Sequence, residues 1–167
     1  MTGTLSEATR LRDRIVSVGR SLFDRGLTGG STGNISVRLD DGSMLMTPTN
    51  ASLGSLDPET LSHLDKDGVH LSGDAPTKEA FLHTCMYCAR AGDSAVVHLH
   101  STHSVAVSIL DGLNPDDVLP PLTAYYVMRV GALPLIPYFA PGDTALAEAV
   151  GAKAGAHHAG LLANHGP

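Results

Sequence analysis

The stretch Asn34-Ile35-Ser36-Val37-Arg38-Leu39-Asp40-Asp41-Gly42-Ser43-Met44-Leu45-Met46-Thr47 decides how the chain folds. Its first six residues alternate polar and apolar side chains, the period of a strand with one face buried. Asp40-Asp41-Gly42 then supplies turn residues, and Ser43 to Thr47 reads as a second strand. The unit is a hairpin, so the sheet it starts is antiparallel here. It ends in the polar loop Thr47-Pro48-Thr49-Asn50.

Working upstream, Gly26-Leu27-Thr28-Gly29-Gly30-Ser31-Thr32-Gly33 is a glycine-rich loop that feeds the first strand. Before it, Leu11, Ile15, Val18 and Leu22 recur at three and four residues, which predicts an amphipathic helix from Leu5 to Arg25, stopped by Gly26. Downstream, Asp57-Pro58 predicts the cap and first position of a short helix to about Leu61, and Asp65-Lys66-Asp67-Gly68 a second hairpin. A helix is expected after Pro76, capped by Thr77 and ended by Gly92. Ala95-Val96-Val97-His98-Leu99-His100 starts as a buried strand would. A helix is expected over Asp143 to Gly155 and a last strand over His158 to His165. Hairpins mixed with helices favour an α/β layered domain, its central sheet mixed but largely antiparallel and flanked by helices, over a doubly wound parallel fold.

Composition narrows the function. Seventeen acidic residues against 11 Lys+Arg give a formal charge of −6, which removes the basic footprint that nucleic acid or anionic lipid would need. Glu7, Arg10, Arg12, Asp13 and Arg14 interrupt any signal-like apolar run, and no later stretch reaches membrane-spanning length, so a cytoplasmic protein is expected. The length suits one compact domain. Cys85 and Cys88 form a lone C-x-x-C, and with Phe81 and Ala89 they recur at helical spacing, so core packing is the expected role.

The histidines carry the chemistry. On a strand, residues two apart share a face, so His98 and His100 present two imidazoles side by side. Such a pair repels when protonated and gains little when neutral, a conflict that a metal resolves. A catalytic zinc takes three protein ligands and keeps an open position. His165, in Ala163-Asn164-His165-Gly166 at the end of an apolar run, is the candidate third. His63, His70, His157 and His158 read as ordinary surface or core histidines. Glu79, near a helix start, reads by itself as a residue favoured by the helix dipole, and spacing does not place it beside the metal.

These segments resemble the class II aldolase/adducin family, which includes fuculose-phosphate and rhamnulose-phosphate aldolases. The resemblance runs from Thr32-Gly33-Asn34-Ile35-Ser36 through Thr47-Pro48-Thr49, Glu79 and Ala95 to Ser101, to Leu161-Leu162-Ala163-Asn164-His165-Gly166. Within the family, Pro76 to His83, His98 to Val107 and Tyr125 to Gly131 look most like the 3-oxo-tetronate 4-phosphate decarboxylases. What the resemblance implies is zinc, or another divalent metal, on His98, His100 and His165, with Glu79 as acid/base and as a further ligand before substrate arrives. It also implies a phosphate site from Gly33, Asn34 and Thr49 through their backbone N–H groups, a homotetramer with sites between subunits, and Tyr125 as a second acid. Lys78 stands where the aldolases carry a small hydroxyl residue, and its point charge suits a phosphate or a carboxylate.

The implied reaction is zinc-dependent decarboxylation of a 3-oxo-tetronate 4-phosphate to dihydroxyacetone phosphate and CO2, through a metal-stabilised enediolate. The alternatives are a sugar-phosphate aldolase, which forms the same enediolate by releasing an aldehyde, and a catalytically silent adducin-like binding module. Family members continue for several elements beyond the position of Pro167, so residues 1–167 are expected to be a single domain lacking those C-terminal elements, with His165 on a frayed end.

Overall fold

The computed structural model describes residues 6–140 and 143–167. Strands β1 (Asn34–Arg38) and β2 (Met44–Met46) form the expected hairpin, with Ser36 opposite Met46 and Arg38 opposite Met44. Gly42 sits at φ 87° in its turn, where only glycine is unstrained. β3 (Ser62–Leu64) adds to β2 and β4 (His70–Ser72) to β3, while β5 (Ala95–His98) pairs with the other side of β1. The sheet order is β4-β3-β2-β1-β5, antiparallel at each junction. The parallel component is a separate pair, β6 (Leu135–Ile136) with β7 (Leu161–Leu162). The β3–β4 turn is the predicted one: Asp65 Oδ1 accepts the N–H groups of Asp67 and Val69, and Gly68 takes φ 86°.

Alternation along β1 and β2 sorts the two faces of the sheet. Ile35, Val37 and Leu45 point to α1 (Glu7–Asp24), whose Ile15 is 1% exposed, and Leu39, Leu53 and Leu61 complete that core. Ser6 starts α1 by accepting the Thr9 N–H, and Gly26 at φ 70° follows its end. On the opposite face Met44, Met46 and Leu64 pack with Tyr87 of α2 (Ala80–Ala89). A third apolar cluster, Leu82, Ile136, Leu146 and Leu162, ties α2 to α5 (Ala145–Ala154) and to the β6–β7 pair. Helices α3 (Thr102–Ser108) and α4 (Ala124–Arg129) lie between β5 and β6 in the chain.

Several local expectations are corrected. Asp57-Pro58 begins a single turn, closed by Thr60 N–H on Asp57 O, rather than a helix. Arg12 occupies the carbonyls of Pro58 and Leu61, at 2.7 and 3.1 Å, and Ser62 enters β3 at once. The short helical turn lies earlier, at Leu53–Ser55. Thr77 caps nothing: its hydroxyl accepts the Glu79 N–H in a turn that precedes α2, and Glu79 itself is the residue before the helix. Cys88 is exposed and Cys85 half-buried, its thiol on Ala147 O. The buried residues of α2 are Leu82, His83 and Tyr87, because that helix is wedged between a polar patch of the sheet and α5. β5 ends at His98 and forms a sheet edge, leaving Val97 45% exposed. Among the described residues, no helix is long and apolar enough to cross a membrane.

Candidate metal centre

His98 closes β5 and His100 follows two residues on, so the strand alternation places both rings on one side. Their Nε2 atoms are 3.1 Å apart. His165 is not on a strand as expected. β7 stops at Leu162, and the chain reverses through Asn164, which takes the left-handed φ of 57°, so that Gly166 and Leu162 bond each other. That reversal turns His165 back onto His100, with Nε2 atoms 3.0 Å apart. Gly166 has no room for a side chain, since a Cβ would stand 2.3 Å from Leu99 O. Residues 165–167 are held rather than frayed: Pro167 O accepts the Leu99 N–H at 3.0 Å and the His98 Nδ1–H at 2.8 Å.

Glu79 completes the cluster. Its Oε1 is 3.2 Å from His165 Nε2 and its Oε2 3.6 Å from His98 Nε2. One ligand atom from each of Glu79, His98, His100 and His165 lies within 4.8 Å of the others. The donor set suits a divalent ion. Donors about 2.0–2.1 Å from a tetrahedral zinc stand roughly 3.3–3.4 Å from each other, close to the spacings found here. The Pro167 carbonyl fixes the proton of His98 on Nδ1, which leaves the Nε2 lone pair for an ion. Three imidazoles meeting edge to face, with ring centroids 4.6–5.0 Å apart, make poor packing partners for each other without a cation.

Electrostatics points the same way. Burial lowers the His98 pKa to about 4, Glu79 opposing and the other two rings assisting, and burial also lowers that of His100. Both rings are therefore neutral, the ligand form, at neutral pH. Burial pushes the Glu79 carboxyl up, but the His165 hydrogen bond, the charge of His98 and the Asn34 hydrogen bond outweigh it and hold the pKa at about 2. The ion-pair part acts only where His98 is protonated; above that range the hydrogen bonds hold the carboxylate.

Of the other predicted residues, Gly33 at φ 79° packs directly on the His98 carbonyl, 3.0 Å from where a Cβ would be. The Asn34 side chain is buried and donates to Glu79 Oε2 at 2.6 Å. The Thr49 N–H is already committed to Ala75 O, so Thr49 offers a ligand its hydroxyl rather than its backbone donor. Lys78 is exposed beside Glu79. Tyr125 is 77% exposed on α4 and, among the described residues, makes no hydrogen bond to the four ligands. His63 bonds Ser43, His70 bonds Ser72 O, and His157 and His158 bond the carbonyls of Ala132 and Arg129, as ordinary histidines do.

The sequence reading missed what lies behind Glu79. His83, 0% exposed, bonds Ser36 Oγ through Nδ1 and Asn34 Oδ1 through Nε2, and Tyr87 OH bonds Ser36 Oγ. The signal was present as Glu79, His83 and Tyr87 at i, i+4 and i+8, facing Asn34 and Ser36 at i and i+2 on β1. Burial lowers the His83 pKa to about 3, with His98 assisting and Glu79 opposing. A folded-state pKa below the usual 6.5 means that the unfolded chain binds more protons between those values. Stability is therefore fully present above about pH 6.5 and lost as pH falls toward 3, with His98 and Glu79 adding loss of the same sign. In chelator, the advantage of the parent over its His83→Gln variant should shrink from pH 7.5 to pH 5 by up to about 1.4 kcal/mol per pH unit. Urea denaturation at the two pH values measures it, and a pH-independent difference would refute a buried neutral imidazole.

Fold and side-chain cluster together define an α/β domain in which three histidines and a carboxylate that could hold a metal ion converge beside an antiparallel sheet. The chain belongs to the class II aldolase and adducin family: residues 13–167 match the domain described as Class II Aldolase and Adducin N-terminal domain. It is 50% identical over 155 residues to a 3-oxo-tetronate 4-phosphate decarboxylase from Haemophilus influenzae, covering 93% of this chain and 74% of that one. It is 34% identical over 164 residues to an L-fuculose phosphate aldolase from Escherichia coli, covering 96% and 72%. The crystal structure of YgbL from Klebsiella pneumoniae superposes with TM-score 0.94 at 45% identity, over 98% of this chain and 79% of that one.

Proposed function

We propose that the protein decarboxylates a 3-oxo-tetronate 4-phosphate to dihydroxyacetone phosphate and CO2, with a divalent metal, zinc by its ligand chemistry, held by His98, His100 and His165. The observation that carries the reading is the convergence of those three Nε2 atoms with a Glu79 oxygen. The identity gap between 50% to a decarboxylase and 34% to an aldolase supports the carboxy-lyase over the aldehyde-lyase. Retention of all four ligands disfavours a silent binding module.

In the substrate the ketone at C3 is β to the carboxylate, so breaking C1–C2 releases CO2 and leaves an electron pair shared between C2 and the C3 oxygen. When bound, the ion supplies a Lewis acid for that developing charge. The chain supplies the rest. Glu79, ionised at rest, draws a proton from water through its partial exposure of 23% and hands it to C2, which completes the CH2OH of the product and returns Glu79 to the carboxylate. Asn34 holds one carboxylate oxygen, which limits the directions the other can take. Gly33, the Thr49 hydroxyl and Lys78 receive the phosphate, which anchors the substrate so that C2 lies against Glu79. A homotetramer placing Tyr125 in a neighbouring copy's site, and a cytoplasmic location, belong to the same proposal.

The test is an assay for products. The phosphorylated acid should yield CO2 and dihydroxyacetone phosphate, while the unphosphorylated acid reacts far more slowly, because remote binding energy positions the reacting end. Lys78→Ser should lower kcat/KM about 10- to 100-fold, the worth of one hydrogen bond to a charged group. Release of an aldehyde from fuculose 1-phosphate, with no CO2 from the oxo acid, would transfer the protein to the aldolases.

A further inference from the structure

The hydrogen bonds behind Glu79 form one chain whose direction is set at each step. A carboxylate only accepts, so Asn34 must turn its NH2 to Glu79 Oε2, 2.6 Å away. Its Oδ1 then faces His83 Nε2 at 2.5 Å, and that nitrogen must carry the proton. A fully buried neutral imidazole has one proton, so Nδ1 accepts from the Ser36 hydroxyl at 2.7 Å. Ser36, having spent its proton, accepts from the Tyr87 hydroxyl at 2.8 Å. Donation therefore runs from Tyr87 through Ser36, His83 and Asn34 to the accepting Glu79 without a break, and among the described residues no buried side-chain polar atom lacks a partner.

We propose that His83 is a positioning residue for the reaction: its Nε2–H locks the Asn34 carboxamide in the one orientation that presents N–H to Glu79, and thereby fixes the carboxylate that moves the proton. The inference rests on the reading of Glu79 as proton carrier. Without the His83 donor, Asn34 can turn through 180° and set its oxygen against the carboxylate, which then swings away. A displacement of about 1 Å at a reacting group can cost on the order of a hundredfold in rate. His83 lies one helical turn along from Glu79 and bonds Asn34 and Ser36 rather than any of the three ligand histidines, so its loss acts on the proton step and spares the metal.

His83→Met removes the donor at similar volume, and His83→Gln restores an N–H toward Asn34 and an oxygen toward Ser36. His83→Met should lower kcat about 10- to 100-fold, the usual effect of outer hydrogen-bond partners. KM and the zinc content per chain should stay close to the parent's, because His83 bonds none of the ligand histidines, and His83→Gln should recover most of the lost kcat. Equal kcat in the parent and His83→Met, or a loss confined to KM or zinc content, would overturn the proposal. Should His83→Met fail to fold, Ser36→Ala reads the same chain: it frees His83 to move its proton to Nδ1, so kcat must fall while zinc content holds, and an unchanged kcat overturns the proposal. Glu79→Gln separates the two levels. If it keeps parental turnover, the proton-carrier reading itself fails; if it is inactive while His83→Met and Ser36→Ala are not, only the role of His83 fails.

Discussion

Replacing His98 by alanine is expected to yield protein with less than a tenth of the parent's metal and turnover at least about a thousandfold lower. His98 contributes more than one ligand atom. It is the most buried of the three imidazoles, its Nδ1–H is anchored on Pro167 O, and its Nε2 is within 3.6 Å of the Glu79 carboxylate. Alanine there removes the ligand and one of the two hydrogen bonds on Pro167 O, so the segment that carries His165 loses part of its anchoring in the same change. A Lewis acid contributes several kcal/mol to developing negative charge, and each 1.4 kcal/mol is tenfold in rate. His63→Ala is the control, since that ring bonds Ser43 in the β2–β3 region and none of the four ligands. Elemental analysis and product assays on both variants decide the matter. Equal metal loss in the two would mean that the ion is bound elsewhere or that its retention reports general stability.

Legibility from sequence differed by kind of information. The β1–β2 hairpin could be read because alternation and turn residues are local properties, and the register that followed puts Ile35 and Val37 on one face and Asn34 and Ser36 on the other. His98 and His100 were legible for the same reason: a two-residue spacing fixes a shared face on extended backbone. His165 was reached as the third candidate, but the device that aims it, the reversal at Asn164 with Gly166 against Leu99, depends on a contact with the residue that follows β5, more than sixty positions earlier. Glu79 could not be placed by spacing, because what brings it to the histidines is the packing of α2 on β1 through Asn34. The polar face of α2 was overlooked for the opposite reason. Phe81, Cys85, Cys88 and Ala89 form a plausible apolar stripe, yet Cys88 is exposed, and the face that meets the sheet is built from Glu79, His83 and Tyr87. Apolar periodicity is blind to a buried polar network.

Changing Glu79 to glutamine should leave close to one metal ion per chain and reduce kcat by about 10²- to 10⁴-fold, the contribution of a positioned acid/base. Glutamine keeps the length of the side chain, and its carbonyl oxygen can accept the Asn34 N–H that now reaches Oε2. Its amide nitrogen would then face His165, where Oε1 stands at 3.2 Å, so the group remains seated but can neither take nor give a proton at neutral pH. Three histidines remain to hold the ion, as in an ordinary catalytic zinc site with an open position. The effect should therefore fall on kcat while metal content and KM change little, in contrast to His98→Ala, where metal and rate disappear together. Zinc titration alongside turnover makes the distinction. Undiminished turnover would remove Glu79 from proton transfer, and loss of metal in step with activity would make it chiefly a ligand.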